Sequence, residues 1–81
     1  MKIKVLYFAQ LREAAGMSEQ VMELEHPLTV GEFAREFLNQ PVFQKLKGLP
    51  FLYALNGEFT GPEERIENGA TLAILPPVAG G

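Results

Sequence analysis

Cysteine is absent from these 81 residues, tryptophan is absent too, and histidine occurs once, at His26. The first absence excludes disulfides, thiolate metal sites and a cysteine nucleophile. A single histidine cannot supply a histidine metal cluster. Basic charge is also short: 7 Lys and Arg face 10 Asp and Glu, for a net charge of -3. No positive surface therefore invites nucleic acid by bulk electrostatics. No apolar run approaches the ~20 residues of a membrane span, and the N-terminus lacks the apolar stretch of a signal peptide. The reading excludes nucleic acid and membrane as partners and places the chain in the cytoplasm.

What is present describes one small folded domain. Hydrophobic residues make up 47% and charged residues 21%, a globular balance. "IKVLYFA" alternates as a strand, with Ile3, Val5 and Tyr7 on one face. "QLREAAGM" offers a short helical turn stopped at Gly16. "EQVMELE" alternates again, with Val21 and either Met22 or Leu24 inward, and pairs with the first strand as a wide hairpin. The clearest helix start is "TVGE", with Thr29 as N-cap and Glu32 at the third helical position. The apolar stripe Val30, Phe33, Ala34, Phe37 and Leu38 follows at helical spacing. Pro41 then halts it and opens a second short helix that ends before Gly48.

"FLYALNGEF" reads as a strand, an Asn56-Gly57 turn and a return strand. "PEERIENG" is a polar turn region, and "ATLAIL" is the last strand. This order points to α+β: a mixed sheet with one main helix packed on one face. A β-grasp, ubiquitin-like arrangement fits, with the first and last strands parallel at the centre. The helix face is then expected to pack Phe33 and Phe37 against Val5, Leu52 or Ala54, and Leu72 or Ile74.

The side chains offer little chemistry of their own. His26 precedes Pro27 in a loop and reads as a surface residue. Glu19, Glu23 and Glu25 read as the solvent side of a strand and its approach. Glu63 and Glu64 have no apolar pocket in view to raise a pKa. Lys45 and Lys47 form a solvated face, with a partner contact as the alternative. The reactive group, if there is one, is the chain end "LPPVAGG". Pro76 and Pro77 lack an N–H and project the chain as a stiff stalk that reaches roughly 20 Å at about 3.3–3.6 Å per residue. Gly80 and Gly81 let a terminal carboxylate enter a slot that any Cβ would block. Such a carboxylate reacts once it is activated, as in an acyl-adenylate. Residues 1–75 are thus expected to form the globular domain and 76–81 a protruding, flexible Gly-Gly tail.

"KVLYFAQLREAAG", "LTVGEF", "ALNGEF" and "LPPVAGG" together resemble the small-subunit family of molybdopterin synthase over nearly the whole chain. The segments "FAQLRE" and "PPVAGG" are the most specific. The resemblance implies a β-grasp sulfur carrier that holds no cofactor and is not catalytic by itself. An adenylating, E1-like activating enzyme would use ATP on the Gly81 carboxylate, and a sulfurtransferase system would make the thiocarboxylate. The tail, with Gly80 giving access, would enter the large subunit and deliver sulfur to cyclic pyranopterin monophosphate. The resemblance also implies an apolar interface at Phe8, Phe59 and Leu75, continued by Pro76, Pro77 and Val78.

The residues agree in part. If Val5 and Tyr7 face the helix, Phe8 lies on the opposite face, unless sheet twist turns it into a satellite core. Arg12 and Glu13 are either structural charges or rim contacts. Two other readings stand beside the first. One is a related carrier for thiamin or another thiolated product; the other is a ubiquitin-like modifier or a binding domain with an idle tail. The stretch "NQPVFQKLKGLPFL" says nothing about the choice of partner.

Overall fold

The computed structural model describes residues 1–76, and Pro77, Val78, Gly80 and Gly81 of the functional reading lie outside them. Strand β1 (Lys2–Tyr7) buries Ile3, Val5 and Tyr7, as its alternation predicts. A short helix α1 (Ala9–Ala15) follows, anchored by the buried Leu11. Gly16 closes it at φ 74, a left-handed conformation that suits a residue without Cβ.

Strand β2 (Glu19–Glu23) pairs antiparallel with β1, which sets Met22 opposite Ile3 and Val21 opposite Lys4. Residues directly opposite share a face, so Met22 and Leu24 turn toward the core. Val21 points away and is 62% exposed. The expectation that Val21 faces inward is corrected: one residue of register reverses every side chain in a strand.

Helix α2 (Val30–Phe37) starts on a capping box. The Glu32 N–H donates to Thr29 Oγ1 at 3.1 Å, and the Thr29 N–H donates to Glu32 Oε1 at 2.9 Å. Val30, Phe33, Ala34 and Phe37 are buried. The next free helical donors, the Val30 and Gly31 N–H groups, are taken by the carbonyls of Glu64 and Pro62 at 2.8 and 2.9 Å. This approach is close enough that a Cβ on Gly31 would sit 2.9 Å from Pro62 Cβ. The same crossing segment buries Ile66 completely, although it reads in sequence as a polar turn. The Ile66 N–H reaches the Leu28 carbonyl at 2.9 Å.

The second short helix forms as a 3₁₀ segment, Pro41–Leu46, with proline in its first turn and Phe43 buried. Strands β3 (Leu52–Leu55) and β4 (Glu58–Thr60) make the expected hairpin, with Asn56 at φ 52 and Gly57 at φ 87. Two positive φ values in a two-residue turn match the right-handed twist of the strands it joins. Strand β5 (Thr71–Leu75) lies parallel to β1 and antiparallel to β3, giving the order β2-β1-β5-β3-β4. The first and last strands are therefore adjacent and parallel inside the sheet, as expected.

Core packing differs from expectation at β3. Tyr53 pairs with the buried Ile74 and Leu55 with the buried Leu72, so these two turn toward the core. Leu52 and Ala54 take the other face, and the expected contact of Phe33 or Phe37 with them is corrected. Phe37 is the hub of the aromatic packing: its ring centroid lies 5.3 Å from Phe33, 5.1 Å from Phe43 and 5.7 Å from Tyr7. Phe37→Ala is expected to cost ~3–5 kcal/mol in denaturant melting, because all three rings lose their neighbour at once.

The capping box also predicts a pH dependence. The backbone N–H of Thr29, then its hydroxyl, then Arg35 and Arg65 hold the Glu32 carboxyl below its ordinary value. A carboxyl lowered in the folded state stabilises above the unfolded pKa and loses that contribution as pH falls through the folded one. Urea melts over a pH series should show the native chain losing more stability than Glu32→Gln as pH drops through and below the ordinary carboxylate range. Parallel curves would remove Glu32 from the acid response.

Candidate functional site

Because α2 covers one face of the sheet, the period of two along each strand assembles a second face that no element among the described residues covers. Register places Glu19 opposite Leu6, Leu6 opposite Ala73, Ala73 opposite Ala54 and Ala54 opposite Phe59. That row crosses all five strands, acidic at its outer end and apolar from β1 to β4. Phe59 is 74% exposed at its far end. A second row lies where β5 ends. Leu52, 51% exposed, sits opposite Leu75. Phe8, 41% exposed, follows Tyr7, which is opposite Ile74.

The structure thus gathers Phe8, Phe59 and Leu75 on one face and adds Leu52, Leu6, Ala54 and Ala73. The sequence reading missed Leu52, which it placed inside, because "FLYAL" is apolar on both faces and carries no parity signal. The two alanines form a low strip between Leu6 and Phe59. An uncovered apolar face of this kind on a small domain marks an interaction surface. Pro76 follows Leu75 directly and is half-buried. Lacking an N–H, it cannot continue a strand ladder. Strand β5 therefore ends at an inner position of the sheet, with Leu52 opposite Leu75 and the end of β1 on its other side.

Charge enters this face at its β2 side, where Lys2 stands opposite Glu23 and Lys4 lies beside Leu6, opposite Val21. Lys4 Nζ lies 3.7 Å from Glu19 Oε2, both side chains about half exposed. Arg12, Glu13, Lys45, Lys47, Glu63 and Glu64 are all exposed. His26 is exposed, with Nδ1 3.3 Å from the Pro27 carbonyl oxygen. Among the described residues, no group of three or more His, Asp or Glu gathers as a metal site. The same residues include no helix long and apolar enough to cross a membrane. Burial pushes the phenols of Tyr7 and Tyr53 up, so both stay protonated at neutral pH. Tyr7 donates its proton to Gln20 Oε1 at 2.6 Å. These are structural hydroxyls on the covered side of the sheet.

A mixed five-stranded sheet in this order, with one main helix across it and an apolar open face, defines a ubiquitin-like β-grasp protein. The chain belongs to the ThiS family, whose sequence profile matches residues 5–81. It is 37% identical to the molybdopterin synthase sulfur carrier subunit of Chlamydomonas reinhardtii, over 100% of both chains. It is 34% identical to the protein of the same name from Haemophilus influenzae, over 98% of this chain and 99% of that one. Its backbone resembles the small archaeal modifier protein 1 of Methanosarcina acetivorans. That match has a TM-score of 0.75 and 28% identity, over 99% and 96% of the two chains.

The assignment of faces can be tested without a partner. Leu72, fully buried, and Leu52 occupy opposite sides of neighbouring strands. Leu72→Ala should cost ~2–5 kcal/mol in denaturant melting, whereas Leu52→Ala should cost under ~1 kcal/mol. Equal losses would refute the register of β3.

Proposed function

We propose that this chain is a sulfur carrier whose working group is the Gly81 carboxylate, acting as the small subunit of molybdopterin synthase. The observation that carries the reading is full-length likeness, at 37% and 34% identity, to two proteins named as molybdopterin synthase sulfur carrier subunits. The "PPVAGG" ending and the apolar face beside its origin support it.

In this reading, a carboxylate oxygen of Gly81 attacks the α-phosphorus of ATP on an adenylating enzyme, and pyrophosphate leaves. Hydrosulfide supplied by a sulfurtransferase system then attacks the acyl carbon, the C–O bond to AMP breaks, and AMP leaves a terminal thiocarboxylate behind. The large subunit receives the tail, with Gly80 and Gly81 in its slot and Pro76, Pro77 and Val78 along the entrance. Sulfur passes there to cyclic pyranopterin monophosphate. Phe8, Phe59 and Leu75 dock the folded domain, apolar at the centre and polar at the rim.

A second reading has one observation in its favour, the backbone likeness to a small archaeal modifier protein. There the activated Gly81 would acylate lysines of other proteins. Intact-mass measurement of the chain from its host separates the two. Exchange of one terminal oxygen for sulfur supports the carrier, and a covalent ladder on other proteins supports the modifier.

Two variants test the proposal directly. Adding one residue after Gly81 buries its carboxylate in a peptide bond and moves the new one about 3.3–3.6 Å along. That variant should melt like the parent, yet give no pyrophosphate exchange with the activating enzyme and no sulfur transfer. Full activity with the extra residue still present by mass would sink the mechanism. Phe59→Asp should weaken large-subunit binding by ~2–4 kcal/mol in titration calorimetry while the fold stays intact. Unchanged affinity would move the interface elsewhere.

A further inference from the structure

The outer edge of β2 is a second surface, independent of the open face and of the tail. β2 is the terminal strand of the sheet. Hydrogen bonds on either side of it fix which backbone groups are free. The Leu24 N–H donates to the Met1 carbonyl at 2.7 Å, and the Tyr7 N–H donates to the Ser18 carbonyl at 2.9 Å. Bonded pairs in an antiparallel ladder alternate with non-bonded ones. The bonded pairs are therefore Met1 with Leu24, Ile3 with Met22, Val5 with Gln20 and Tyr7 with Ser18. Between them, the N–H and C=O groups of Glu19, Val21 and Glu23 point away from β1, along the open edge.

Exposed edges are commonly blunted by charged side chains, above all lysine, by proline, by a bulge or by a covering element; the charges on this edge are the acidic Glu19 and Glu23, which repel an acidic strand and leave the edge open to a basic one. "EQVME" contains neither proline nor lysine, and its register with β1 runs without a bulge. Beside the edge, between β2 and α2, runs an apolar groove of about 260 Å³. Met22, Leu24, Leu28, Phe33 and Phe37 line it, and Glu36 stands at its wall. Across the edge on the open-face side stand Glu19 and Glu23, with the exposed Val21 between them.

A second copy is a poor occupant. Two β2 strands paired antiparallel about Val21 would set Glu19 against Glu23 twice, and like charges directly opposite destabilise a sheet. Shifting the register by two residues relieves this only by shortening the paired stretch. A strand of opposite charge meets no such penalty.

We infer that the β2 edge accepts an extended segment of a partner protein that alternates apolar and basic side chains. Strand addition supplies backbone hydrogen bonds from Val21 and Glu23, and side-chain alternation supplies specificity. Every second side chain of the added strand enters the groove against Met22, Leu24 and Phe37. The intervening lysines or arginines lie over Glu19 and Glu23. Glu19 is already paired with Lys4 at 3.7 Å, whereas Glu23, opposite Lys2, makes no ion pair among the described residues, so Glu23 is the main acidic contact.

The test uses the full-length, ¹⁵N-labelled chain and a capped synthetic heptapeptide that alternates lysine and valine. The expected result is saturable shifts at the amides of Val21 and Glu23 and around Met22, Leu24 and Phe37. At nine-tenths saturation, amide exchange at Val21 and Glu23 should slow by roughly tenfold, since exchange then proceeds from the free tenth. The counterpart peptide with glutamate in place of lysine should not bind. Val21→Pro removes an N–H that faces outward, so the pairing with β1 survives and peptide binding should be lost. Glu23→Gln, which removes the charge without setting a second cation against Lys2, should keep the melting curve and lower affinity several-fold at low salt. Shifts centred on Leu6, Ala73 and Phe59 would overturn the inference, as would equal binding of the glutamate peptide or no shifts at all. Protection of Val21 that grows with protein concentration alone would assign the edge to a second copy instead.

Discussion

One helix can cover only one side of a five-stranded sheet, and the rest of this structure follows from that shortage. The packed rings of Phe33, Phe37, Phe43 and Tyr7 fill the space under α2 and seal one face. The other face has no second layer to receive it, yet it keeps Leu6, Phe8, Leu52, Phe59 and Leu75. A domain of 81 residues has a small core, and a typical stability at this length is roughly 4–12 kcal/mol. Such a chain tolerates an uncovered apolar face because the covered one is closely packed. Apolar residues left in water on one side make sense when a host protein supplies the missing layer.

The features legible in the sequence were those with a strong local signal. Ile3, Val5 and Tyr7 alternate cleanly, so β1 and the outward position of Phe8 could both be read by parity. Thr29 with Glu32, and Asn56 with Gly57, are chemical signatures of a helix start and a hairpin turn. What escaped reading depended on long-range pairing. "EQVMELE" permits either parity, and only the opposition of Met22 to Ile3 decides that Val21 faces out. "LYAL" is apolar at every position, so Leu52 gives no hint of its side until Tyr53 is seen opposite Ile74. Ile66 is isolated among polar residues with no period at all, and its burial comes from the chain crossing over the start of α2.

Of the functional reading, Phe8, Phe59 and Leu75 were singled out by parity and family resemblance, while the face that brings them together was not visible. The row through Leu6, Ala73, Ala54 and Phe59 draws on four strands separated by much of the chain. No window of sequence holds that row. The acidic approach around Glu19, Glu23 and Glu25 was read as a solvent side, which is correct for the isolated chain. Its second meaning depends on knowing that β2 is a terminal strand whose outward backbone groups belong to Glu19, Val21 and Glu23.

The parallel pairing of β1 with β5 has a consequence for how the molecule is made. These strands open and close the chain, yet they lie side by side inside the sheet, so the contact that joins its two halves is also among the longest loops to close. A ribosome-bound fragment lacking Thr71–Leu75 would leave β1 and β3 without their shared neighbour. It could form the β1–β2 hairpin and α2, but not a closed sheet. A native fold therefore exists only once Thr71–Leu75 has been made and has paired on both sides.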